Sequence, residues 1–242
     1  MKQPTLPTKL NRKIGQAMHD WSMLEDGDRV LIGVSGGIDS LVTAWVLKIW
    51  RFKAPIDYRL EAVFVDNGYW SPERGGEPPV VSIERQMRRW DIEVSKVEAW
   101  PVKDKQEQRC FICARNRRSQ LFELARQKGC AKLALGHHKD DLVETFFINA
   151  LYSGNISTML PKQVLFEGRL SLIRILSYLE KDEVIELGRI AGFEPVKNYC
   201  PLAEDTRRET VRSILARIYQ EVPEAKGSLF SALGNVRNGY ML

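Results

Sequence analysis

The chain has 242 residues, 44% of them hydrophobic and 28% charged, and a formal net charge of +5. That composition is ordinary for a globular protein with a sizeable core, and the mild positive excess permits an anionic partner such as RNA without requiring one. The N-terminus carries no apolar signal region and no run approaches roughly 18 apolar residues, which excludes a membrane span by pattern and predicts a cytoplasmic protein with no membrane partner.

Four cysteines, Cys110, Cys113, Cys130 and Cys200, in a reducing compartment are thiols, metal ligands or redox residues rather than a disulfide framework. The length suits one large α/β domain, or one domain with small appendages. Residues 1–25 read as an N-terminal helical segment, 26–200 as the core and 201–242 as a helical extension.

Leu10, Ile14, Ala17, Met18, Trp21 and Leu24 recur at helical spacing and predict an amphipathic helix lying on the core, with His19 in it given no role. Val30 to Val34 is a short β-branched run of the kind that makes a buried parallel strand, and Leu41 to Leu47 reads as a helix. Leu60 to Val65 predicts a second strand ending in the polar residues Asp66-Asn-Gly68. Ser71 to Pro79 is a loop by its glycines and prolines. Ile83, Met87 and Trp90 mark one helix face, with Arg85, Arg88 and Arg89 on solvated faces. Ile92 to Val97 predicts a third strand.

A helix opens at Cys110 and continues through Leu124. Cys130 to Gly136 is a fourth strand in which Cys130 is a small buried residue, and a further helix begins within Gly136-His-His-Lys-Asp-Asp-Leu-Val-Glu-Thr145. Val164 to Leu176 reads as two strands around Glu167-Gly168. Lys181 to Ala191, Thr210 to Val222 and Gly227 to Val236 are helices, and Asn198-Tyr-Cys200-Pro lies in a loop.

The first strand and helix enclose Ser35-Gly-Gly-Ile-Asp-Ser40. Adjacent glycines let backbone N–H groups crowd a ligand, and the helix that follows adds free amides and the positive end of its dipole. This phosphate cradle has neither the Lys-Ser/Thr of a P-loop nor the three spaced glycines of a dinucleotide fingerprint. Ligands in open parallel sheets lie beyond the strand carboxyl ends, which places Val65 and Asp66 near the ligand, a simple turn after the strand being the equal alternative for Asp66. The same rule sets His137, Lys139 and Asp141 facing the Ser35 to Ser40 crevice, although Asp140 or Asp141 could equally cap the helix. Arg174 is carried toward the crevice by the last strand.

Cys110-x-x-Cys113 at a helix start can bring two thiolates onto one centre, but a single pair is half a site. Metal or cluster binding, a redox pair and idle thiols all remain open on spacing alone. Arg115, Arg117 and Arg118 follow at once, enough positive charge to meet a phosphate backbone or to balance thiolates.

Ser-Gly-Gly-x-Asp-Ser after a strand resembles the PP-loop of the ATP pyrophosphatases. With the Gly136 to Thr145 segment, Arg174, the three cysteines and the ending Phe230-Ser-Ala-Leu-Gly-Asn-Val236, the chain resembles the tRNA 2-thiocytidine synthetases. The resemblance runs from the first helix almost to the C-terminus. It implies a doubly wound parallel sheet of the adenine nucleotide hydrolase type, with ATP, magnesium and tRNA as ligands.

It further implies a [4Fe-4S] cluster on Cys110, Cys113 and Cys200 with one iron left open, and a sulfur donor such as a cysteine desulfurase or sulfide. Zinc is the alternative for the same thiols, with His137 or His138 as a fourth ligand. The implied roles are Asp39 for magnesium and Ser35, Gly36, Gly37 and Ser40 for the pyrophosphate, with Gly136 and His137 beside the nucleotide. Lys139 and Arg174 would meet the developing charge, Asp141 would serve a metal or the base, and Arg115, Arg117 and Arg118 would contact RNA. The family often has lysine at the position of Ile38 and cysteine at that of Lys197. Rival readings are a thiouridine synthase or a lysidine synthetase, or, from another class, an ATP-binding iron-sulfur or redox sensor. Oligomeric state is open, a homodimer being one option.

Overall fold

A computed structural model describes residues 5–101, 110–200, 207–237 and 239. Its six-stranded sheet has the order β3-β2-β1-β4-β6-β5, formed by β1 (Arg29–Gly33), β2 (Arg59–Asp66), β3 (Val94–Glu98), β4 (Lys132–Ala134), β5 (Lys162–Leu165) and β6 (Leu170–Ile173). Pairings among β1, β2, β3, β4 and β6 are parallel, as expected. The edge strand β5 departs from an all-parallel sheet: it runs antiparallel to β6, because the short Phe166–Gly168 turn joins them and leaves no length for a crossover.

Val30, Leu31 and Ile32 are fully buried, and their alternation divides the core. Val30 and Ile32 face a large cluster built with α1 (Thr8–Asp20), α2 (Ile38–Arg51), α3 (Pro79–Arg88) and α6 (Lys181–Ala191). Leu31 faces a smaller cluster under α4 (Cys110–Gln127). Burial on both faces is what a continuous apolar strand requires. In the large cluster Trp45 is wholly buried, tilted on Trp90 at 5.4 Å and edge-on to Phe193 at 6.4 Å; truncation to alanine there costs about 3–5 kcal/mol. Cys130 is buried as expected, and burial pushes its thiol up.

A third cluster joins α5 (Lys139–Ser153) to α7 (Arg207–Glu221) and α8 (Ala225–Leu233) through Val143, Val211 and Leu215. The C-terminal helices therefore rest on α5 rather than on the sheet. β1 pairs with β2 on one side and β4 on the other, so successive crossovers leave in opposite directions. A crevice opens at that switch point, beyond the strand carboxyl ends.

Candidate active site

A cavity of 990 Å³ fills the crevice, walled by residues after β1, β2, β4 and β6 and by one side of α4. Its floor is the loop predicted to cradle phosphate. Gly36 has φ +85°, a left-handed conformation that favours glycine, and a Cβ there would lie 3.0 Å from Val196. Val196 also donates its N–H to the Gly36 carbonyl at 2.9 Å, clasping the loop from the opposite wall. Gly37 caps α2.

Ser40 holds the loop together. Its hydroxyl accepts the Ser35 N–H at 3.0 Å and donates to the Gly37 carbonyl at 2.8 Å, so it acts within the loop instead of reaching for a ligand. Gly136 is required by close approach: a Cβ would lie 2.7 Å from the Asp39 carbonyl carbon and 2.8 Å from the Ser40 nitrogen.

Asp39 stands in the first turn of α2 at the cavity wall. Lys181 Nζ lies 2.6 and 2.8 Å from its two carboxylate oxygens, a partner with no signal in the sequence beyond one lysine among many. His138 Nε2 is 4.0 Å from Asp39, 3.3 Å from Asp141, and its Nδ1 is 3.5 Å from Asp140. Burial alone would lower this imidazole, but the three aspartates outweigh it and raise it. Asp140 moves the other way. Burial raises its carboxyl, yet bonds from His138 and Lys226 hold it below the carboxylate range.

Asp141 caps α5, accepting the His138 N–H at 3.0 Å, and its other oxygen takes Arg208 at 3.1 Å. Its carboxylate thus serves the scaffold, although the residue lines the cavity. Lys139 is not brought into the crevice. It turns outward to Glu180 at 3.1 Å and lies 5.3 Å from the Phe230 ring, since the first turn of α5 points successive side chains in different directions.

Arg174 is buried at the cavity wall. Its Nε donates to His137 Nδ1 at 3.2 Å, and its backbone N–H to the Pro161 carbonyl at 2.9 Å. Among the described residues it makes no ion pair. Burial and the nearby Arg118 charge push it down to about 10, still protonated at neutral pH. The same burial and the Arg174 charge push His137 down to about 4, leaving it neutral. Arg174 Nη1 donates to the Leu160 carbonyl, and a buried cation that among the described residues meets a neutral imidazole and a carbonyl but no carboxylate is arranged to meet an anion.

Val65 lines the cavity; Asp66 does too, but its carboxylate accepts the Gly68 N–H at 2.9 Å and pairs with Lys96 at 3.0 Å. Arg117 and Arg118 also line it, whereas Arg115 is exposed outside it. The polar residues just beyond β2 matter more than Asp66. Asn67 Oδ1 lies 3.8 Å from Cys113 Sγ, and the Tyr69 hydroxyl is raised by burial and by the Cys113 and Cys200 sulfurs beside it. Cys200, held by its N–H to Asn198 Oδ1 at 3.0 Å, thereby meets Cys113 across Tyr69. These residues followed the strand end in the sequence, so the signal for them was present and went unread.

Cys110 opens α4 one helical turn before Cys113, and its side chain lies outside the described residues. Among the described residues no three Cys, His, Asp or Glu side chains are so arranged that they could hold a metal ion by themselves. Neither histidine joins the thiols, His137 being taken by Arg174 and His138 by the aspartates. A donor set of thiols suits an iron-sulfur cluster, and neither His137 nor His138 is placed to be the fourth ligand of a zinc site.

A family profile described as the PP-loop domain matches residues 6–218. The tRNA-cytidine(32) 2-sulfurtransferase of Geobacter sulfurreducens is 35% identical over 240 residues, covering 97% of this chain and 92% of that protein. The protein of the same name from Syntrophotalea carbinolica is 34% identical over 251 residues, covering 99% and 95%. The solved U34-tRNA thiolase NcsA from Methanococcus maripaludis, with its [4Fe-4S] cluster, superposes with a TM-score of 0.77 at 22% identity, covering 95% of this chain and 80% of that one, a likeness of fold. With a PP-loop match over most of its length and relatives that share a third of its residues nearly end to end, the chain belongs to the PP-loop family, among the tRNA-cytidine(32) 2-sulfurtransferases.

Proposed function

We propose that the protein is an ATP-dependent tRNA sulfurtransferase that converts a cytidine at position 32 of tRNA, in the anticodon loop, to 2-thiocytidine. The observation that carries this is one cavity with the phosphate loop at Ser35 and Gly37 on one side and Asn67, Tyr69 and Asn198, the neighbours of Cys113 and Cys200, on the other. Its 990 Å³ sits at the upper end for a single small-molecule site, room for a nucleotide and an extruded base together.

The C2 oxygen of the base attacks the α-phosphorus of ATP, and pyrophosphate leaves. A sulfur nucleophile at the cysteine site then adds to C2, and AMP departs with the original oxygen. The Gly36 and Gly37 amides and the α2 dipole, worth about half a charge, receive the polyphosphate. Asp39 would hold magnesium, which balances the remaining phosphate charge and in-line departure of pyrophosphate. Arg174, assisted by Arg118, stabilises charge on the transferring phosphoryl group. His137, neutral and fixed by Arg174, orients it.

Cys110, Cys113 and Cys200 would hold a [4Fe-4S] cluster, which supplies a site for the incoming sulfur; Asn67 and Tyr69 position the thiols. The sulfur enters from a small donor such as sulfide or from a cysteine desulfurase. Arg117 and Arg118 guide the RNA strand, whose loop base is extruded for a few kcal/mol. The thiols suit a reducing cytoplasm. Among the described residues no helix is long and apolar enough to cross a membrane.

The test is nucleoside mass spectrometry of tRNA from cells with and without the gene, beside product analysis of ATP turnover. Loss of 2-thiocytidine, with AMP and pyrophosphate formed, is expected. Unchanged 2-thiocytidine with loss of a thiouridine or lysidine would overturn the substrate, and ADP with orthophosphate would overturn the reaction.

A further inference from the structure

Lys181 is the first residue of α6, and its ammonium embraces both oxygens of Asp39. Two features fix this approach. The Ile38 side chain points at α6, where a Cβ on Gly188 would overlap it, so the bare glycine lets α6 lie directly against α2. The Lys181 backbone N–H donates to Asp140 Oδ2 at 2.8 Å, and Lys226 holds the other Asp140 oxygen at 2.8 Å. The helix start is therefore anchored while the ammonium is free to move on its four-carbon stem. Its side chain is 38% exposed, and that of Asp39 25%.

Ile38 is turned away from the crevice, so the Ser35 to Ser40 loop contributes no cation of its own. The carboxylate best placed for a divalent cation is thus already occupied, on both oxygens, by a counter-ion from another helix. Any metal reaching Asp39 must displace that ammonium.

We propose that Lys181 is a displaceable counter-ion that keeps Asp39 from binding a divalent cation until the cation arrives with a nucleotide. This rests on the reading of Asp39 as the metal ligand. A bare cation gains one carboxylate and loses the ion pair. A cation carrying triphosphate gains the backbone amides of the loop as well, and the two ligands become thermodynamically coupled. Lys181 acts through Asp39 and is a positioning residue.

The experiment is a titration of the full chain with Mn2+, followed by electron paramagnetic resonance, without nucleotide and with α,β-methylene-ATP. Lys181→Ala should bind Mn2+ alone about three- to tenfold more tightly than the wild type, the factor that about 0.6–1.4 kcal/mol of lost competition corresponds to. The enhancement of Mn2+ affinity by the nucleotide analogue should shrink by up to the same factor, because in the wild type the polyphosphate charge draws the Lys181 ammonium off Asp39 and so relieves the competition that the variant lacks from the start. Lys181→Arg should restore wild-type behaviour, since the charge is kept, and Lys181→Gln should match the alanine variant and replaces it if that variant melts early.

Equal or weaker Mn2+ binding by the alanine or glutamine variant, with binding still lost in Asp39→Asn, overturns the role of Lys181 and leaves Asp39 as the ligand. Mn2+ binding unchanged in Asp39→Asn overturns the ligand assignment and the proposal with it.

Discussion

The two ends of the crevice treat charge in opposite ways. Around the start of α5, each of the cations is matched. Arg208 reaches Asp141 and Glu144, Arg212 holds Glu144 at 2.8 Å, Lys226 bridges Asp140 and Glu180, and Lys139 takes Glu180. On the cysteine side Arg117, Arg118 and Arg174 line the cavity with no ion pair among the described residues. Two adjacent residues register the contrast, His138 raised by its aspartates against its burial and His137 driven down to about 4 by burial and, next, by the Arg174 charge. The paired cations tie α5 to the C-terminal helices and α6, while the arginines without carboxylate partners among the described residues face the cavity.

Substitution of Arg174 should show the difference most strongly. Arg174→Met is expected to lower ATP-to-AMP turnover in the presence of tRNA by about 10²–10³, the usual loss for one pre-organised group facing developing charge. Its melting temperature should hold or rise, because a buried cation without a carboxylate gives little stability. A large fall in melting temperature with turnover intact would erase the contrast.

Arg208→Ala should do the reverse. Asp141, with a side chain 12% exposed, loses its arginine, and Glu144, 6% exposed, is left with Arg212 alone; unfolding in urea should come earlier by about 1–3 kcal/mol, below the full cost of a buried pair because Arg208 is itself one-third exposed and Glu144 keeps a partner. An unchanged midpoint would mean that the network around α5 is not structural.

The histidines sharpen the comparison through pH. His137 has a folded value of about 4, below its ordinary 6.5. The unfolded chain therefore binds the extra proton between those values, and stability from this residue is present above pH 6.5 and lost as pH falls toward 4. The slope is at most one proton, about 1.4 kcal/mol per pH unit. His138 is raised, so its contribution is present below 6.5 and fades as pH rises through its folded value. Urea midpoints across pH 4–8 should fall on the acid side, and His137→Gln should flatten only that limb.

The smallest effect is expected at the RNA-facing arginines. Arg117→Ala and Arg118→Ala should each flatten the log-log salt dependence of tRNA binding by about 0.7 if each meets one single-stranded phosphate. Arg115→Ala, outside the cavity, should change it less, and an equal change at all three would place the strand across the outer face of α4.

Local patterns made the sheet and the phosphate loop legible, since a β-branched run, paired glycines and a following helix each declare themselves within a few residues. The two strands around Glu167-Gly168 were legible as well; that their pairing is antiparallel follows from the short turn between them, and not from the apolar run, which a parallel neighbour would share. Lys139 was misplaced because the direction of one side chain in the first turn of a helix depends on Glu180, 41 residues away. Lys181 and Arg208 had no local signature at all: they matter through carboxylates 142 and 67 residues distant. Asp141 could be read either as a cap or as a group facing the crevice, both uses calling for a carboxylate at the same place; it caps α5 and also lines the cavity.

The approach of Gly136 to the Asp39 and Ser40 backbone leaves no space for even a methyl group. The end of β4 and the beginning of α2 consequently cannot slide past one another, and they behave as a single stiff wall. Breathing motions that admit a folded tRNA loop are expected instead from the opposite wall beyond the Val196 clasp, where Cys200 meets Tyr69. Amide hydrogen exchange should accordingly be slow at Ser40, Leu41 and Val196 and fast from Lys197 to Tyr199, the pattern of a preformed nucleotide pocket beside a wall that opens.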